Sequence, residues 1–323
     1  MRVSVVVPTC RRPGLLQECL RALAAQDFDP SAFEVIVADD AASAATRRQV
    51  SIDDARSPVG LRYVAVAVAG PHGPAAARNA GWRAARGEII AFTDDDCRPD
   101  RRWLAEGLAA LEREGADAAS GRIVVPLPES PTDYERDAAG LEGAEFATAN
   151  GFCRREALEA VGGFDERYAA AWREDSDLQF ALLAAGGRIA RAPSAVVVHP
   201  VRPARWGVSL DQQRKSLFDA LLYKKYPALY RKRIGTGPPW GYYATLAALA
   251  ATACSLLAGR PGLASAAAVA WALLTARFCL RRLRRTSRRP GHVAEMVVTS
   301  ALIPPMSVFW RLYGALKFRV LFF

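Results

Sequence analysis

Three short apolar runs near the start of the chain each end in polar or acidic punctuation. Val3–Val7 (VSVVV) stops at Pro8-Thr9, Phe33–Ala38 (FEVIVA) stops at Asp39-Asp40, and Glu88–Thr93 (EIIAFT) stops at Asp94-Asp95-Asp96. Apolar runs of this length, closed by turn residues, read as buried strands. Between them, Gly14–Ala25 places Leu15, Leu16, Cys19, Leu20 and Leu23 on one helical face, and Pro74–Ala85 is also helical. Leu61–Val68 reads as a further strand. Strand–helix alternation with short turns predicts an α/β fold, a mostly parallel sheet with helices on both faces. Ligands in such sheets bind beyond the carboxyl ends of the strands. Both Asp clusters end strands, so they are expected to share one edge of the sheet.

After residue 115 the alternation loosens. Ala116–Val125 and Ala144–Arg154 read as strands separated by a Pro/Glu-rich loop at 126–140. Glu174–Ala185 reads as a helix, Arg188–Val198 as a strand leading to His199-Pro200, and 208–226 as a basic amphipathic helix. Two apolar stretches follow. Gly241–Gly259 runs for 19 residues without a charge, about 28 Å of helix at about 1.5 Å per residue, close to the ~30 Å hydrocarbon layer. Pro261–Ala276 adds 16 more uncharged residues after a tight Gly/Arg/Pro/Gly turn. KKYPALYRKR precedes the pair and RRLRRTSRR follows it, which predicts a helical hairpin with both ends cytoplasmic. A soluble Ala-rich hairpin is the other reading. Val293–Phe323 is apolar but holds Glu295 and Pro304-Pro305, and reads as interfacial. The expected organisation is a catalytic domain over 1–204, a basic linker over 205–240, a transmembrane hairpin over 241–280 and a basic, membrane-associated segment over 281–323.

The charge distribution agrees with that division. Among the 323 residues the formal charge is +10, but residues 1–200 carry 23 Arg, no Lys and 30 Asp+Glu, a net of −7. Residues 201–323 carry 20 Lys+Arg against Asp211, Asp219 and Glu295, a net of +17. A net +10 could suggest nucleic acid, but the split argues otherwise. An acidic domain with a basic, apolar tail points to a membrane surface instead. The six cysteines show no CxxC pair or metal-ligand spacing, which fits a reduced compartment. The opening apolar run is too short for a signal-peptide core, so the first half is expected in the cytoplasm.

Asp94-Asp95-Asp96 is the sharpest chemical feature. Two unit charges ~4 Å apart cost on the order of 4 kcal/mol at an effective dielectric of 20. A divalent cation removes that cost, and hard oxygen ligands favour Mg²⁺ or Mn²⁺. A solvated turn or helix cap is the alternative, because Arg98-Pro99-Asp100 opens the next helix. Asp39-Asp40 offers acceptors for a base or ribose, or else caps a turn; Thr9 lies at the same edge. GPAAARNAG, residues 73–81, is a small-residue helix start whose Arg78 can meet a diphosphate. It carries neither GK[ST] nor GxGxxG, which weighs against a P-loop ATPase and a dinucleotide-binding dehydrogenase. Glu174-Asp175 opens a helix as a dipole partner or as a general base. His199 is a further metal ligand or a satisfied strand-end histidine.

The order VSVVVPTCRRPGLLQECLRAL, FEVIVADD, GPAAARNAG, GEIIAFTDDD, NGFCRREALEAVGGFDE, WREDSDL, VVVHP over about residues 2–200 resembles a family 2 glycosyltransferase with a GT-A, Rossmann-like fold. The hydrophobic tail is similar to that of membrane-associated bacterial members. The resemblance implies that Pro8, Thr9, Asp39, Asp40 and Arg78 lie at the nucleotide. It also implies that Asp94 and Asp96 bind ribose and the metal-diphosphate, with Asp95 sharing the site. Asp175 would be the catalytic base supported by Glu174, His199 a metal ligand, and Asn150, Gly151 and Phe152 would line the acceptor region. Trp172 is assigned to the same acceptor region by its position before the Glu174-Asp175 pair. No QxxRW follows Asp175, which argues for transfer of a single sugar over processive synthesis. The expected donor is a UDP-, GDP- or dTDP-sugar. The expected acceptor is a glycan or polyprenyl-linked hydroxyl at the cytoplasmic face of a bacterial inner membrane, reached by inversion. A sugar-1-phosphate nucleotidyltransferase would want a better Gly-rich loop than PTCRRPG. An Asp-nucleophile phosphatase would want its DxD after the first strand. A non-catalytic, membrane-anchored nucleotide-sugar-binding protein is the alternative from a different class.

Overall fold

The computed structural model describes residues 1–67, 69–235 and 237–322. Val68 at the end of the third expected strand, Thr236 in the linker and Phe323 at the C-terminus lie outside the described residues. The chain divides into two compact units, Met1–Pro126 with Ala139–Val201, and Leu127–Ala138 with Arg202–Phe323.

The first unit is built on an eight-stranded sheet in the order β3-β2-β1-β4-β7-β6-β8-β5. Its strands are β1 Val3–Thr9, β2 Phe33–Asp39, β3 Gly60–Ala65, β4 Ile89–Phe92, β5 Arg98–Pro99, β6 Ala118–Val124, β7 Gly151–Arg154 and β8 Ile189–Val198. β1 pairs in parallel with β2 and β4, and β2 with β3. β7 is antiparallel to both β4 and β6, and β6 is parallel to β8. Two antiparallel steps restore direction, so β1, β2, β4, β6 and β8 all end at one edge.

Alternation along β1 explains why both faces are covered. Val3, Val5 and Val7 join Leu16, Leu20 and Leu23 of helix Pro13–Ala24 and Trp103, Leu104 and Leu108 of helix Trp103–Glu114. Val6, with Ile36, Ile90 and Phe92, faces the other way, onto Trp82 of helix Pro74–Ala84 and Leu178 and Leu182 of helix Glu174–Ala184. Strands buried on both faces carry nearly continuous apolar runs, as this sequence does. Each fully enclosed residue such as Leu16 or Leu23 stabilises the fold by about 1.5–3 kcal/mol. Gly81 lets helix Pro74–Ala84 lie directly on the sheet, since a Cβ there would meet Val6 Cγ1 at 2.4 Å.

Four segments differ from the sequence expectation; the first is Arg98–Pro99, expected to open a helix but found as a short strand antiparallel to β8, with the helix beginning at Trp103. Only Gly151–Arg154 of the expected strand 144–154 is extended, and Thr148–Asn150 forms a 3₁₀ turn. The Asn150 amide Nδ2 donates to the carbonyls of Arg122 and Ala195, each at 2.9 Å, bonds a side chain makes in place of a strand ladder. The basic helix expected over 208–226 is split into Val208–Gln212, a 3₁₀ turn Gln213–Ser216 and Leu217–Lys225. Within the expected loop 126–140, Asp133–Ala138 is helical and belongs to the second unit.

The second unit is helical. Three of its helices are long and apolar enough to cross a membrane: Trp240–Leu257, Pro261–Arg282 and Pro290–Phe318. The first two bury only 6% and 11% of their apolar windows within the protein, and Leu257, Leu263, Leu273 and Leu280 are exposed. A soluble hairpin would turn such leucines inward. Pro290–Phe318 runs unbroken through Pro304-Pro305 and buries 33% of its window. Arg282, its side chain largely enclosed, holds the unit together: it bonds Asp133 Oδ2 at 2.7 and 3.1 Å, Thr299 Oγ1 at 2.7 Å, Ser300 Oγ at 3.1 Å and Ser209 Oγ at 3.2 Å.

Candidate active site

The shared strand edge of the first unit collects most of the polar residues singled out in the sequence. Thr9 ends β1 and its hydroxyl donates to Asp95 Oδ2 at 2.6 Å. The Arg12 guanidinium lies 3.2 Å from the same oxygen and 3.8 Å from Asp96 Oδ2. Asp95 Oδ1 is buried with no hydrogen-bond partner among the described residues. Burial pushes Asp95 up to about 6, against the pull of Arg12 and Thr9. Asp95 thus faces into the protein, while Asp94 and Asp96 flank it.

His199 follows β8, with its backbone N–H donating to the Val124 carbonyl at 2.8 Å. Its Nε2 lies 3.9 Å from Asp94 Oδ2 and 3.7 Å from Asp96 Oδ1. One ligand atom from each of Asp94, Asp96, Cys97 and His199 falls within 4.8 Å of the others. Spacing rules for cysteine pairs did not point to Cys97; its place directly after the Asp run was the available signal. Burial drives the Cys97 thiol well above its ordinary value. A protonated thiol is a poor ligand and hard cations prefer oxygen, so the chemistry of this group rests on the carboxylates and the imidazole.

Arg78 changes the sequence reading. It is 3% exposed and turned into the protein. Its Nη2 donates to Asp94 Oδ1 at 2.8 Å and Nη1 to Glu174 Oε1 at 3.1 Å, with Asp175 Oδ1 at 3.7 Å. Its guanidinium stands 5.7 Å over the Phe164 ring. Arg78, expected at the nucleotide, ties the strand-end acid to the helix-start acids. Its neighbour Asn79 donates to the Phe164 carbonyl and Glu166, each within 2.8 Å, and anchors the GFDE turn.

Glu174 and Asp175 begin helix Glu174–Ala184, after Arg173 in the left-handed region. Burial raises Glu174 to about 7, with Asp175 adding and Arg78 opposing. Burial also raises Asp175, opposed by Arg78 and by Thr148. The Thr148 hydroxyl donates to Asp175 Oδ1 at 2.6 Å and its backbone N–H to Oδ2 at 3.2 Å. Thr148 carried no recognisable signal in the sequence, because it is 27 residues from its partner. For Asp94 burial also acts upward, but Arg78 and His199 outweigh it and hold the carboxyl below its ordinary value.

The two acids after β2 separate. Asp39 is fully buried and accepts from Ala41 N–H at 3.0 Å, Ser43 N–H at 2.8 Å and the Tyr63 hydroxyl at 3.0 Å. It holds the turn at the end of β2. Asp40 accepts from the Gly73 N–H at 3.0 Å and lies 3.1 Å from His72 Nδ1. It lines a cavity of about 400 Å³ with Cys10, Arg11, Ala42, Val66 and His72. Arg11 and Ala42 have φ of 56° and 48°, a strained backbone of the kind that collects at binding sites. Pro8 is buried within β1, opposite Ala38.

The residues expected near the acceptor lie mostly inside the fold. Asn150, Gly151 and Phe152 are buried. Asn150 Oδ1 accepts from Trp103 Nε1 at 2.8 Å, and Phe152 packs on Trp103 at 5.0 Å between ring centres. These residues brace the sheet, and Thr148 just before them is the one that meets Asp175. Trp172 remains 38% exposed, with Arg173 4.8 Å over its ring.

The assembled cluster brings Asp94, Asp95, Asp96, Glu174 and Asp175 together against the guanidiniums of Arg12 and Arg78. That excess of carboxylate, with a histidine beside it, fits a divalent cation.

Comparison with known proteins agrees with this geometry. The description Glycosyl transferase family 2 matches residues 4–166, and Glycosyl transferase family group 2 matches residues 89–312. The chain is 28% identical over 224 residues to Glycosyltransferase AglE of Haloferax volcanii, covering 62% of this chain and 67% of that protein. It is 32% identical over 217 residues to the Pre-mycofactocin glycosyltransferase of Mycobacterium tuberculosis, covering 62% of this chain but only 43% of the longer relative. The fold is similar to that of the mannosyltransferase PcManGT from Pyrobaculum calidifontis in complex with GDP-Man and Mn²⁺, with a TM-score of 0.57 at 24% identity over 98% of this chain and 87% of that one. With the acidic cluster, the strand-edge histidine and the family match on one scaffold, the chain belongs to glycosyltransferase family 2 and is a transferase.

Proposed function

We propose that the protein moves a single sugar, with inversion, from a nucleotide-diphosphate sugar to a hydroxyl of a glycan or polyprenyl-linked acceptor at the cytoplasmic face of a membrane. One observation carries this reading. Of the two acids that Arg78 holds at the helix start, the Glu174 side chain is 4% exposed and that of Asp175 is 24% exposed. Asp175 is tethered by Thr148 yet open on one side, which suits a base that must meet an incoming hydroxyl.

Asp94, Asp96 and His199 would hold a divalent cation, whose charge would offset that of the departing nucleoside diphosphate. The cavity at Asp40, Cys10 and His72 would receive the nucleoside. Asp175 takes the proton of the acceptor hydroxyl. The hydroxyl oxygen forms its bond to the anomeric carbon on the face opposite the donor C–O bond, and that bond breaks with its electron pair leaving on the diphosphate. Arg78 keeps Asp175 and Asp94 at fixed separation. Burial raises Glu174 toward its protonated form, which limits the negative charge beside the base. The GDP-Man and Mn²⁺ bound to the Pyrobaculum protein support a nucleotide-sugar donor and a metal.

The tail supports the location. Two mostly exposed apolar helices flanked by Arg and Lys runs suit a hairpin with cytoplasmic ends. Pro290–Phe318, which contains Glu295 and Pro304-Pro305, is read as lying at the interface.

The test is calorimetry of UDP, GDP and dTDP against the purified chain with and without Mn²⁺ or Mg²⁺. Metal-dependent binding of one nucleotide is expected. Folded protein that binds none of the three overturns the reading.

A further inference from the structure

A cavity of about 500 Å³ lies between the apolar helices of the second unit. Its walls come from the first turns of helix Trp240–Leu257 and the last turns of helix Pro261–Arg282, and Pro304 of helix Pro290–Phe318 also lines it. Two candidate spans therefore have an end here, Trp240 starting one and Arg282 finishing the other. Tyr242 packs edge-on against Phe278 at 5.4 Å between ring centres, which joins the two ends.

The lining combines two kinds of surface. Trp240, Leu274 and Phe278 give an aromatic and apolar wall, with Trp240 71% exposed. Arg277 and Arg281 add two guanidiniums one turn apart, on one helical face. No acidic residue among the described residues lines the cavity. Both arginines are exposed, and neither has an ion pair among the described residues; Arg281 stands 5.3 Å over the Phe278 ring. The carboxylates within electrostatic reach of Tyr242 are Asp133 and Asp137. Asp133 is held by Arg282 at 2.7 Å, and Asp137 is drawn to Lys215 and Arg282. The charge of Arg277 and Arg281 is left over.

That surplus selects an anion, because charge on a helix apolar enough for a bilayer calls for a partner. The wall selects an amphiphile. Arg277 ends a run of 16 uncharged residues, Pro261–Ala276, and Leu273 and Leu280 of the same helix are exposed. An occupant meets two cations at one end and hydrocarbon beyond them. Guanidiniums bind phosphate oxygens in pairs. The Trp240 indole N–H and the Tyr242 hydroxyl add neutral donors, which suit the ester carbonyls of a glycerolipid and would find no acceptor on a prenyl chain.

We infer that this cavity binds an anionic glycerophospholipid, its phosphate between Arg277 and Arg281 and its acyl chains along the hairpin. The inference rests on the membrane reading of the hairpin given above, and deepens it by naming a lipid class and the residues that hold it.

Native mass spectrometry of the full chain in a neutral detergent tests it, with dioleoyl phosphatidylglycerol, dioleoyl phosphatidylcholine and undecaprenyl phosphate as probes and inorganic phosphate as competitor. A phosphatidylglycerol adduct is expected at a concentration about tenfold or more below that needed for phosphatidylcholine, and inorganic phosphate should not displace it. Arg277→Gln with Arg281→Gln should weaken the adduct about tenfold or more. Arg284→Gln with Arg288→Gln removes two exposed charges beyond the helix, where salt screens them, and should leave it within about twofold. Equal unfolding midpoints for the three proteins in lipid-free detergent report that both variants have folded. The comparison between lipids on the wild type needs no variant and keeps the test valid if one does not fold. Equal binding of the two phospholipids, equal loss in the two double variants, displacement by phosphate, or tighter binding of undecaprenyl phosphate overturns the inference. Failure of the membrane reading would show separately, as a wild-type chain that stays in solution without detergent and does not float with phosphatidylcholine vesicles.

Discussion

Arg78 in the first unit and Arg282 in the second are both largely enclosed, and each draws together segments far apart in the chain, but they keep different company. Arg78 meets Asp94, Glu174 and Asp175. Arg282 meets one carboxylate, Asp133, and the hydroxyls of Thr299, Ser300 and Ser209. Around Arg282 one charge answers one charge and neutral groups take the remaining donors, the arrangement of a structural clamp. Around Arg78 negative charge is left over, which an architecture built for stability alone would avoid. The lesson is that the surplus of charge around a buried arginine, more than its burial, separates a site from a brace.

The largest expected effect is at the open acid. Asp175→Asn should lower turnover by about 10²–10⁴ while metal-dependent nucleotide binding persists; turnover within a few-fold of wild type would remove Asp175 from the chemistry. Next, Arg78→Met should cost about 3–5 kcal/mol, because it strands buried carboxylates. Arg282→Met should cost about 1–3 kcal/mol, because Asp133 retains access to water. Unfolding midpoints measured in one detergent would give the order, and a larger loss at Arg282 would break the comparison.

Thr148→Val is smaller and sharper. The Thr148 hydrogen bond opposes the burial that raises Asp175, so its loss should move the acidic limb of the kcat/KM profile to higher pH. An unmoved limb would mean Thr148 only packs. A further effect is on how stability varies with pH. Glu174 rises from 4.5 to about 7 on folding, so the folded state holds that proton more tightly. Stability from this group is full below the unfolded value and is lost as pH rises through about 7. Glu174→Gln should therefore flatten the fall in stability between about pH 4.5 and 7, as read from chemical unfolding at fixed pH values.

Local signals revealed much of the first unit. Strand positions followed from apolar runs and their punctuation, and the acids at their ends necessarily came to one edge once the sheet was parallel there. Orientation was not legible in the same way. Asp39 and Asp40 are adjacent and chemically identical, yet one holds the turn and the other lines a cavity. Asn150–Phe152, placed near the acceptor by the family resemblance, is buried just after Thr148. Leu127–Ala138 read as a loop of the sheet domain, but bonds to Arg282 and Ser287 assign it to the helical unit.

The sequence by itself determined which segments are strands, which helices are apolar enough for a bilayer, and which residues could carry acid–base or metal chemistry, because periodicity, charge and punctuation act over a few residues. Only the tertiary structure decided which of those residues face one another. Arg78 meets Glu174 across 96 positions, Thr9 meets Asp95 across 86, and His199 comes to Asp94 by way of β6 and β8. Such meetings depend on strand register and on which face a helix buries, properties that exist only once the chain has packed.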